Sequence, residues 1–275
     1  MTRDFNTPTT DIPMPAAAPV ALTIAGSDPS GGAGMQADLK TFHSFGVYGC
    51  SVMTLLTAQN TMGVQGIQMV PAEFVRAQWT SVSSDLPLAA IKTGALGNAE
   101  LIETVADFLH SLACPLVVDP VMISKHGHPI IDDNAIDVLI NRVFPLANLV
   151  TPNAFEAERL VGQSIRNEDD LANVADKLLA MGPRAVLIKA CVGERSVDCL
   201  ADADGAQLLR SPRIESNRTH GSGCVLSAAI TAGLSKGQDL IEAVRTARNF
   251  VHDAIRNAPK LGKGISPLGL LDQRM

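Results

Sequence analysis

Aromatic side chains make up only 4% of this 275-residue chain, with a single tryptophan and a single tyrosine. That leaves few platforms on which single-stranded bases could stack. Basic residues are outnumbered, 22 Lys and Arg against 28 Asp and Glu, so the net charge is −6, and they form no run. Such a chain lacks the electrostatic footprint of a nucleic-acid or anionic-membrane binder, and neither partner is expected. No uninterrupted apolar run is long enough to span a bilayer. Cys50, Cys114, Cys191, Cys199 and Cys224 are odd in number, and no two stand as Cys-x-x-Cys. The pattern argues against a disulfide frame or a closed zinc site and for free thiols in a reducing compartment. A soluble cytoplasmic protein is therefore expected. The remaining composition, 46% hydrophobic and 18% charged, is globular, with material for a large core.

Residues 1–19 hold four prolines, no periodicity and no apolar stretch after Arg3. They read as a flexible tail and not as a signal peptide. Residues 20–25 then form a short apolar run suited to a buried strand. A glycine-rich loop, Gly26-Ser27-Asp28-Pro29-Ser30-Gly31-Gly32-Ala33-Gly34, leads from it into a helical pattern at about 35–45. Two nucleotide motifs fail here. Gly26 and Gly31 have P-loop spacing, but Gly32 stands where the lysine is required. Gly32-Ala33-Gly34-Met35-Gln36-Ala37 fits a dinucleotide fingerprint by letter, yet the next strand offers no acid for a ribose.

Strand-like segments at 47–57, 89–92, 116–118, 148–151 and 185–189 alternate with helical ones at 72–84, 99–112, 134–142, 154–160 and 168–181. A hairpin follows at 196–200 and 206–209, turning on Asp204-Gly205, and helices at 221–235 and 239–257 close the chain. This alternation predicts an α/β fold: one domain over 20–275, a mostly parallel sheet with helices on both faces.

In such sheets ligands sit beyond the carboxyl ends of the strands. Polar residues fall just after six predicted strands: Asp28, Gln59-Asn60, Lys92-Thr93-Gly94, Asp119, Thr151-Pro152-Asn153 and Lys189. Singly, each reads as a turn residue or cap; together they mark one edge of the sheet. Asn153 and Glu156 share a face at a helix start, where they could hold waters around a hard cation such as Mg²⁺ or serve as an N-cap and first-turn acid. Asp119 is grouped with them as a candidate metal residue. His126 and His128 lack an evident third ligand, so a mobile flap is the preferred reading there. The run Thr219-His220-Gly221-Ser222-Gly223-Cys224 precedes a segment apolar on nearly every side, which predicts a buried helix. Its first amides would face an anion, with glycines allowing close approach. The alternative is a tight turn into a core helix with an inert cysteine. In the first turn, Cys224 is expected to have a lowered pKa, with thiolate accessible near neutral pH.

Residues 21–41 resemble the opening of the hydroxymethylpyrimidine/phosphomethylpyrimidine kinases of thiamine biosynthesis. Ala58-Gln59-Asn60-Thr61, Asp119-Pro120-Val121-Met122, Thr151-Pro152-Asn153 with Glu156, the run 219–224 and Gly262-Lys263-Gly264-Ile265 resemble the same family in order. The resemblance implies a three-layer ribokinase-like fold, ATP and Mg²⁺, a homodimer, and two successive phosphoryl transfers to 4-amino-5-hydroxymethyl-2-methylpyrimidine. It places Gln59 on the aminopyrimidine edge, with Gly26, Asp28 and Val121 lining the ring pocket. Gly221, Ser222 and Gly223 become the anion hole and Cys224 stands at the base position. Thr219 and Lys189 face the nucleotide phosphates, and Asn153 and Glu156 position Mg²⁺ through water.

Two positions depart from the family pattern. Ala95 stands where a bulkier residue, often Met, is usual, which would widen the ring pocket. After Lys189 the chain reads Ala190-Cys191-Val192-Gly193 where Gly-Gly-His or similar is usual, which puts the nucleotide contacts of that loop in question. A pyridoxal kinase of the same branch shares nearly every motif; Gln59 argues against it and Ala95 weakly for it. A non-catalytic ligand-binding relative is the reading from another class, and the intact glycine turn and Asn-x-x-Glu pair argue against that.

Overall fold

The apolar run after Pro19 becomes β1 (Val20–Ser27), buried over nearly its whole length. In chain order there follow α1 (Gly34–Ser44), β2 (Tyr48–Asn60), β3 (Gly63–Met69), α2 (Ala72–Ser83), β4 (Leu88–Thr93), α3 (Ala99–Leu109), β5 (Leu116–Val118) and α4 (Asp133–Val138). Then come β6 (Leu149–Val150), α5 (Ala154–Val161), α6 (Glu168–Leu179), β7 (Ala185–Val192), β8 (Arg195–Asp202), β9 (Gly205–Pro212), α7 (Ser222–Ser235) and α8 (Leu240–Arg256). This is a computed structural model, and it describes residues 18–270 except 124–126, 128, 132, 193 and 194. The expected tail (but for residues 18 and 19) and His126 and His128 lie outside the described residues.

The strands form one sheet of nine in the order β3-β2-β1-β4-β5-β6-β7-β8-β9. Pairing is parallel from β2 through β7 and antiparallel at both ends. Helices cover both faces, because a parallel sheet buries both. Leu22, Ile24, Ile91 and Val118 meet Leu101 of α3 and Leu171 of α6 on one side. Val117, Leu149 and Leu187 meet Leu226 and Ile230 of α7 and Val244 of α8 on the other. The three-layer α/β architecture expected from the alternation is present. From β1 the chain crosses to β2 on one side, and β4 then enters on the opposite side of β1. The connections leaving β1 and β4 diverge there and open a crevice at the carboxyl edge of the sheet.

Three details differ from the sequence expectation. β2 runs on to Asn60 because it pairs with β3, an antiparallel strand the sequence did not disclose. The segment Gly63-Val-Gln-Gly-Ile-Gln-Met69 is broken by glycines, so its alternation is weak. Gln59 and Asn60 are consequently inside a strand and not after one. The expected 134–142 helix is a six-residue α4 that passes into a π turn at Leu139–Val143. Ala190-Cys191-Val192 is not loop: it continues β7 and pairs with Val197, Ser196 and Arg195 of β8.

A candidate active site at the sheet edge

The crevice holds a cavity of about 680 Å³. Its walls include Gly26, Asp28, Gln59, Asp119, Val121, Asn153, Glu156, Lys189, Thr219, Gly221, Ser222, Gly223 and Cys224 of the site candidates, but not Asn60, Thr93, Thr151 or Pro152. The topology therefore collects residues from six separate stretches of sequence into one space.

The helix start is built by glycine. Gly221 is the N-cap of α7 at φ +80, a left-handed conformation, and a Cβ there would meet the Gly32 carbonyl oxygen at 1.9 Å. A Cβ on Gly32 would meet the His220 ring at 2.4 Å. The β1–α1 loop and the head of α7 thus touch backbone to backbone, which side chains would prevent. No side chain caps α7, so its first amides face the cavity at the positive end of the helix. The helix behind them is buried from Val225 to Gly233, as its sequence predicts. The arrangement is that of an anion cradle.

Against the head of α7 lies a charged cluster: a Cβ on Gly223 would meet Lys189 Nζ at 3.3 Å and Asp119 Oδ2 at 3.6 Å. Lys189 Nζ is 3.0 Å from Asp119 Oδ1, which also accepts from the Thr151 hydroxyl at 3.3 Å. The Ser227 hydroxyl lies 3.3 Å from Asp119 Oδ2. Asn153 and Glu156 form a reciprocal capping box on α5: Glu156 N–H donates to Asn153 Oδ1 at 2.9 Å, and Asn153 N–H donates to Glu156 Oε2 at 2.8 Å. Burial, with repulsion from Asp119 and despite attraction from Lys189, pushes the Glu156 carboxyl up to about 7. Burial alone would lower the Lys189 ammonium, but Asp119 and Glu156 hold it above its ordinary value. Among the described residues no group of three or more His, Cys, Asp and Glu stands in a metal-ligating arrangement. Two mutually repelling carboxylates beside an anion cradle nevertheless suit a Mg²⁺ that keeps its waters and takes further oxygens from phosphates.

The third wall is apolar, with Leu55, Ala95, Val121, Ile123, Ile130 and Phe155, and Gln59 and His220 line the same cavity. Asp28 lines it but is committed to the loop. One oxygen accepts from Ser30 N–H at 2.9 Å and Ser30 Oγ at 2.7 Å. The other accepts from Ala33 N–H at 2.9 Å and lies 2.8 Å from His220 Nε2. Burial would raise this carboxyl, but the bonds from His220 and Ser30 outweigh it and hold it below the usual carboxylate range. Asp28 therefore shapes the glycine loop.

Cys224 requires a correction. Burial pushes its thiol up to about 11 despite the lowering effect of Lys92, and Asp38 and Asp119 push the same way. The helix-end rule that predicts a thiolate applies to a solvated cysteine; this one loses more from desolvation than the dipole returns.

Sequence reasoning passed over Asp38, and it gave Lys92 and His220 no role of their own. Lys92 and Asp38 form an ion pair of 2.7 Å with both side chains at 0% exposure, and Thr23 Oγ1 donates to the same Asp38 oxygen at 2.7 Å. Lys92 carried a signal as a lysine closing an apolar strand; Asp38, in the middle of α1, carried none. His220, 2% exposed, was noticed only as part of the glycine turn.

A family model described as phosphomethylpyrimidine kinase matches residues 28–269. A hydroxymethylpyrimidine/phosphomethylpyrimidine kinase of Streptomyces coelicolor is 46% identical over 92% of this chain and 95% of its own. The crystal structure of a phosphomethylpyrimidine kinase from Clostridium difficile superposes with TM-score 0.77 at 39% identity, covering 86% of this chain and 99% of that one. A Staphylococcus aureus pyridoxal kinase in complex with AMP-PCP and pyridoxal superposes with TM-score 0.85 at 33% identity, covering 93% and 94%.

Proposed function

The chain belongs to the phosphomethylpyrimidine kinase family, and from that premise we propose how its cavity carries out the two ATP-dependent phosphorylations of thiamine biosynthesis. In the first, the hydroxymethyl oxygen of 4-amino-5-hydroxymethyl-2-methylpyrimidine attacks the γ-phosphorus, the bond to the β-phosphate oxygen breaks, and ADP leaves. In the second, a phosphate oxygen of the resulting monophosphate is the nucleophile. The observation that carries this reading is the uncapped head of α7 with Lys189 against it, in the same cavity as Gln59 and the apolar wall.

The amides of Gly221 to Cys224 hold the transferred phosphoryl group, and Thr219 and Lys189 orient the nucleotide phosphates. Phosphoryl transfer asks mainly for position and charge stabilisation, and this geometry supplies both. Gln59 binds the aminopyrimidine edge, with Gly26 and Val121 lining the ring. Cys224, whose thiol is raised to about 11 and so keeps its proton near neutral pH, lines the site without taking the hydroxyl proton. That proton passes to an oxygen of the transferred phosphoryl group as the new P–O bond forms, and in the second step, with a phosphate oxygen as nucleophile, there is almost none to move. Mg²⁺, when bound, neutralises phosphate charge; Glu156 and Asp119, with Asn153, are the residues that would hold it through water. By the same family likeness we read the protein as a cytoplasmic homodimer. Neither nucleic acid nor membrane enters the reading; among the described residues no helix is long and apolar enough to cross a membrane.

ADP release measured in parallel with the hydroxymethylpyrimidine, its monophosphate and pyridoxal tests the assignment. Turnover with both pyrimidines is expected. Pyridoxal turnover alone would overturn the pyrimidine specificity and favour the second reading, for which the room beside Ala95 and the pyridoxal kinase neighbours speak.

Glu156 gives a pH prediction. Its carboxyl, raised to about 7, becomes an anion only above that pH, so activity at subsaturating Mg²⁺ should rise through about pH 7. Glu156→Gln should flatten that limb and lower activity at pH 8 by about 10–100-fold, as loss of an outer metal partner does. Stability moves oppositely. A raised folded pKa contributes stability that is full below the unfolded value of 4.5 and lost as pH rises through about 7. Without Mg²⁺ at pH 8, Glu156→Gln should therefore melt higher than the parent. A variant that kept the acid limb, or melted lower at pH 8, would contradict the assignment.

A further inference from the structure

Five groups form a polar chain along the cavity. The Thr57 hydroxyl lies 3.0 Å from the Ser27 carbonyl oxygen and 3.2 Å from Gln59 Oε1. Gln59 Nε2 lies 3.4 Å from His220 Nε2, which is itself 2.8 Å from Asp28 Oδ2. Proton accounting along this chain has one full solution. The Ser27 carbonyl only accepts, so the single Thr57 hydroxyl proton belongs there, and Thr57 Oγ1 is left as an acceptor. Asp28, an ionised carboxylate, also only accepts, so His220 Nε2 carries a proton. Thr57 therefore calls for the NH₂ of Gln59, and His220, whose one Nε2 proton is shared out first to Asp28, repels a facing NH₂ and so favours the carbonyl. Both ends favour the amide turned about from the order just given, NH₂ to Thr57 and oxygen to His220. The two assignments are independent and agree.

We propose that Thr57, with His220 at the far end, is a positioning residue that fixes the Gln59 amide in this one orientation and so makes the pocket selective for a 4-aminopyrimidine edge. This rests on Gln59 being the residue that meets the pyrimidine. One amide N–H and one oxygen lone pair remain for the ligand, in a fixed order. An aminopyrimidine offers a donor, its amino group, beside an acceptor, the ring nitrogen, which is the complementary order. A pyrimidin-4-one offers a carbonyl beside a protonated ring nitrogen, the reverse order, and an amide that cannot turn rejects it.

The test compares KM for the hydroxymethylpyrimidine with the inhibition constant of its pyrimidin-4-one analogue. The parent should discriminate by on the order of tenfold or more, as a mismatched buried hydrogen bond does. Thr57→Val, with the same shape and no hydroxyl, should reduce that ratio severalfold with kcat nearly unchanged, because only the weaker hold of His220 remains. Thr57→Ala provides a second hydroxyl-free variant should the valine protein fold poorly. Thr57→Ser keeps the hydroxyl and should keep the ratio. An unchanged ratio in the hydroxyl-free variants, or a ratio lost equally in Thr57→Ser, overturns the proposal. Gln59→Leu separates the two layers. If it abolishes discrimination while Thr57→Val does not, only the positioning role fails; if it leaves discrimination intact, Gln59 is not the recognition residue and both fall.

Discussion

Gly221→Ala is expected to reduce turnover by about 10²–10³-fold, the loss seen when a preorganised oxyanion donor is removed. Two effects add at this position. At φ +80 any L side chain is strained, at a cost of about 1–3 kcal/mol. In addition, the new Cβ would sit 1.9 Å from the Gly32 carbonyl oxygen, which is backbone and not a flexible side chain. The glycine loop after β1 must then retreat from the head of α7, and the amides lose their aim. Gly237 separates the effects, because it has the same φ of +80 with nothing within 4 Å of its would-be Cβ. Gly237→Ala should lower the melting temperature through strain alone and leave kcat near that of the parent. Equal kcat losses in both variants would show that general destabilisation, and not the docking of loop on helix, governs turnover. An unchanged kcat in Gly221→Ala would remove the anion hole from the mechanism.

The location of the site was legible in the sequence because it depends on topology, and alternating strands and helices dictate topology. Asp119 and Lys189, 70 residues apart and now 3.0 Å from each other, were foreseeable as neighbours only through the rule that strand ends share an edge. Electrostatics within the site was not legible. The Cys224 thiol goes up and not down because burial costs the charged sulfur more than its place at a helix start returns. Gln59, expected after a strand, lies inside β2. The glycines of β3 erased the alternation by which strands are read. Thr57 offered no sign at all: a threonine in a strand is ordinary, and its role exists only because Ser27 on β1 lies within reach of it.

Lys92→Met should lower stability by about 3–5 kcal/mol, because it leaves the carboxylate of Asp38 uncompensated in the interior. The pair lies under the crevice, where the end of β4 faces α1, and no water reaches it. Desolvation alone would lower the Lys92 ammonium, yet the attraction of Asp38 holds it above its ordinary value. Each charge is thus present because of the other. Their mutual attraction only offsets the loss of hydration, and Asp38 Oδ1 is buried without a hydrogen-bond partner, so the pair is not a strong source of stability in itself. Two opposite results follow from that balance. Asp38→Leu should destabilise as Lys92→Met does, since it strands the ammonium. The double variant Asp38→Leu/Lys92→Met, which removes both charges, should recover most of the loss. Urea unfolding of the four proteins completes the cycle. Strictly additive losses would mean that the two residues act separately. A double variant near the parent in stability but slow in turnover would mean that the pair is kept for the charge that Lys92 presents to the cavity beside Cys224, and not for the fold.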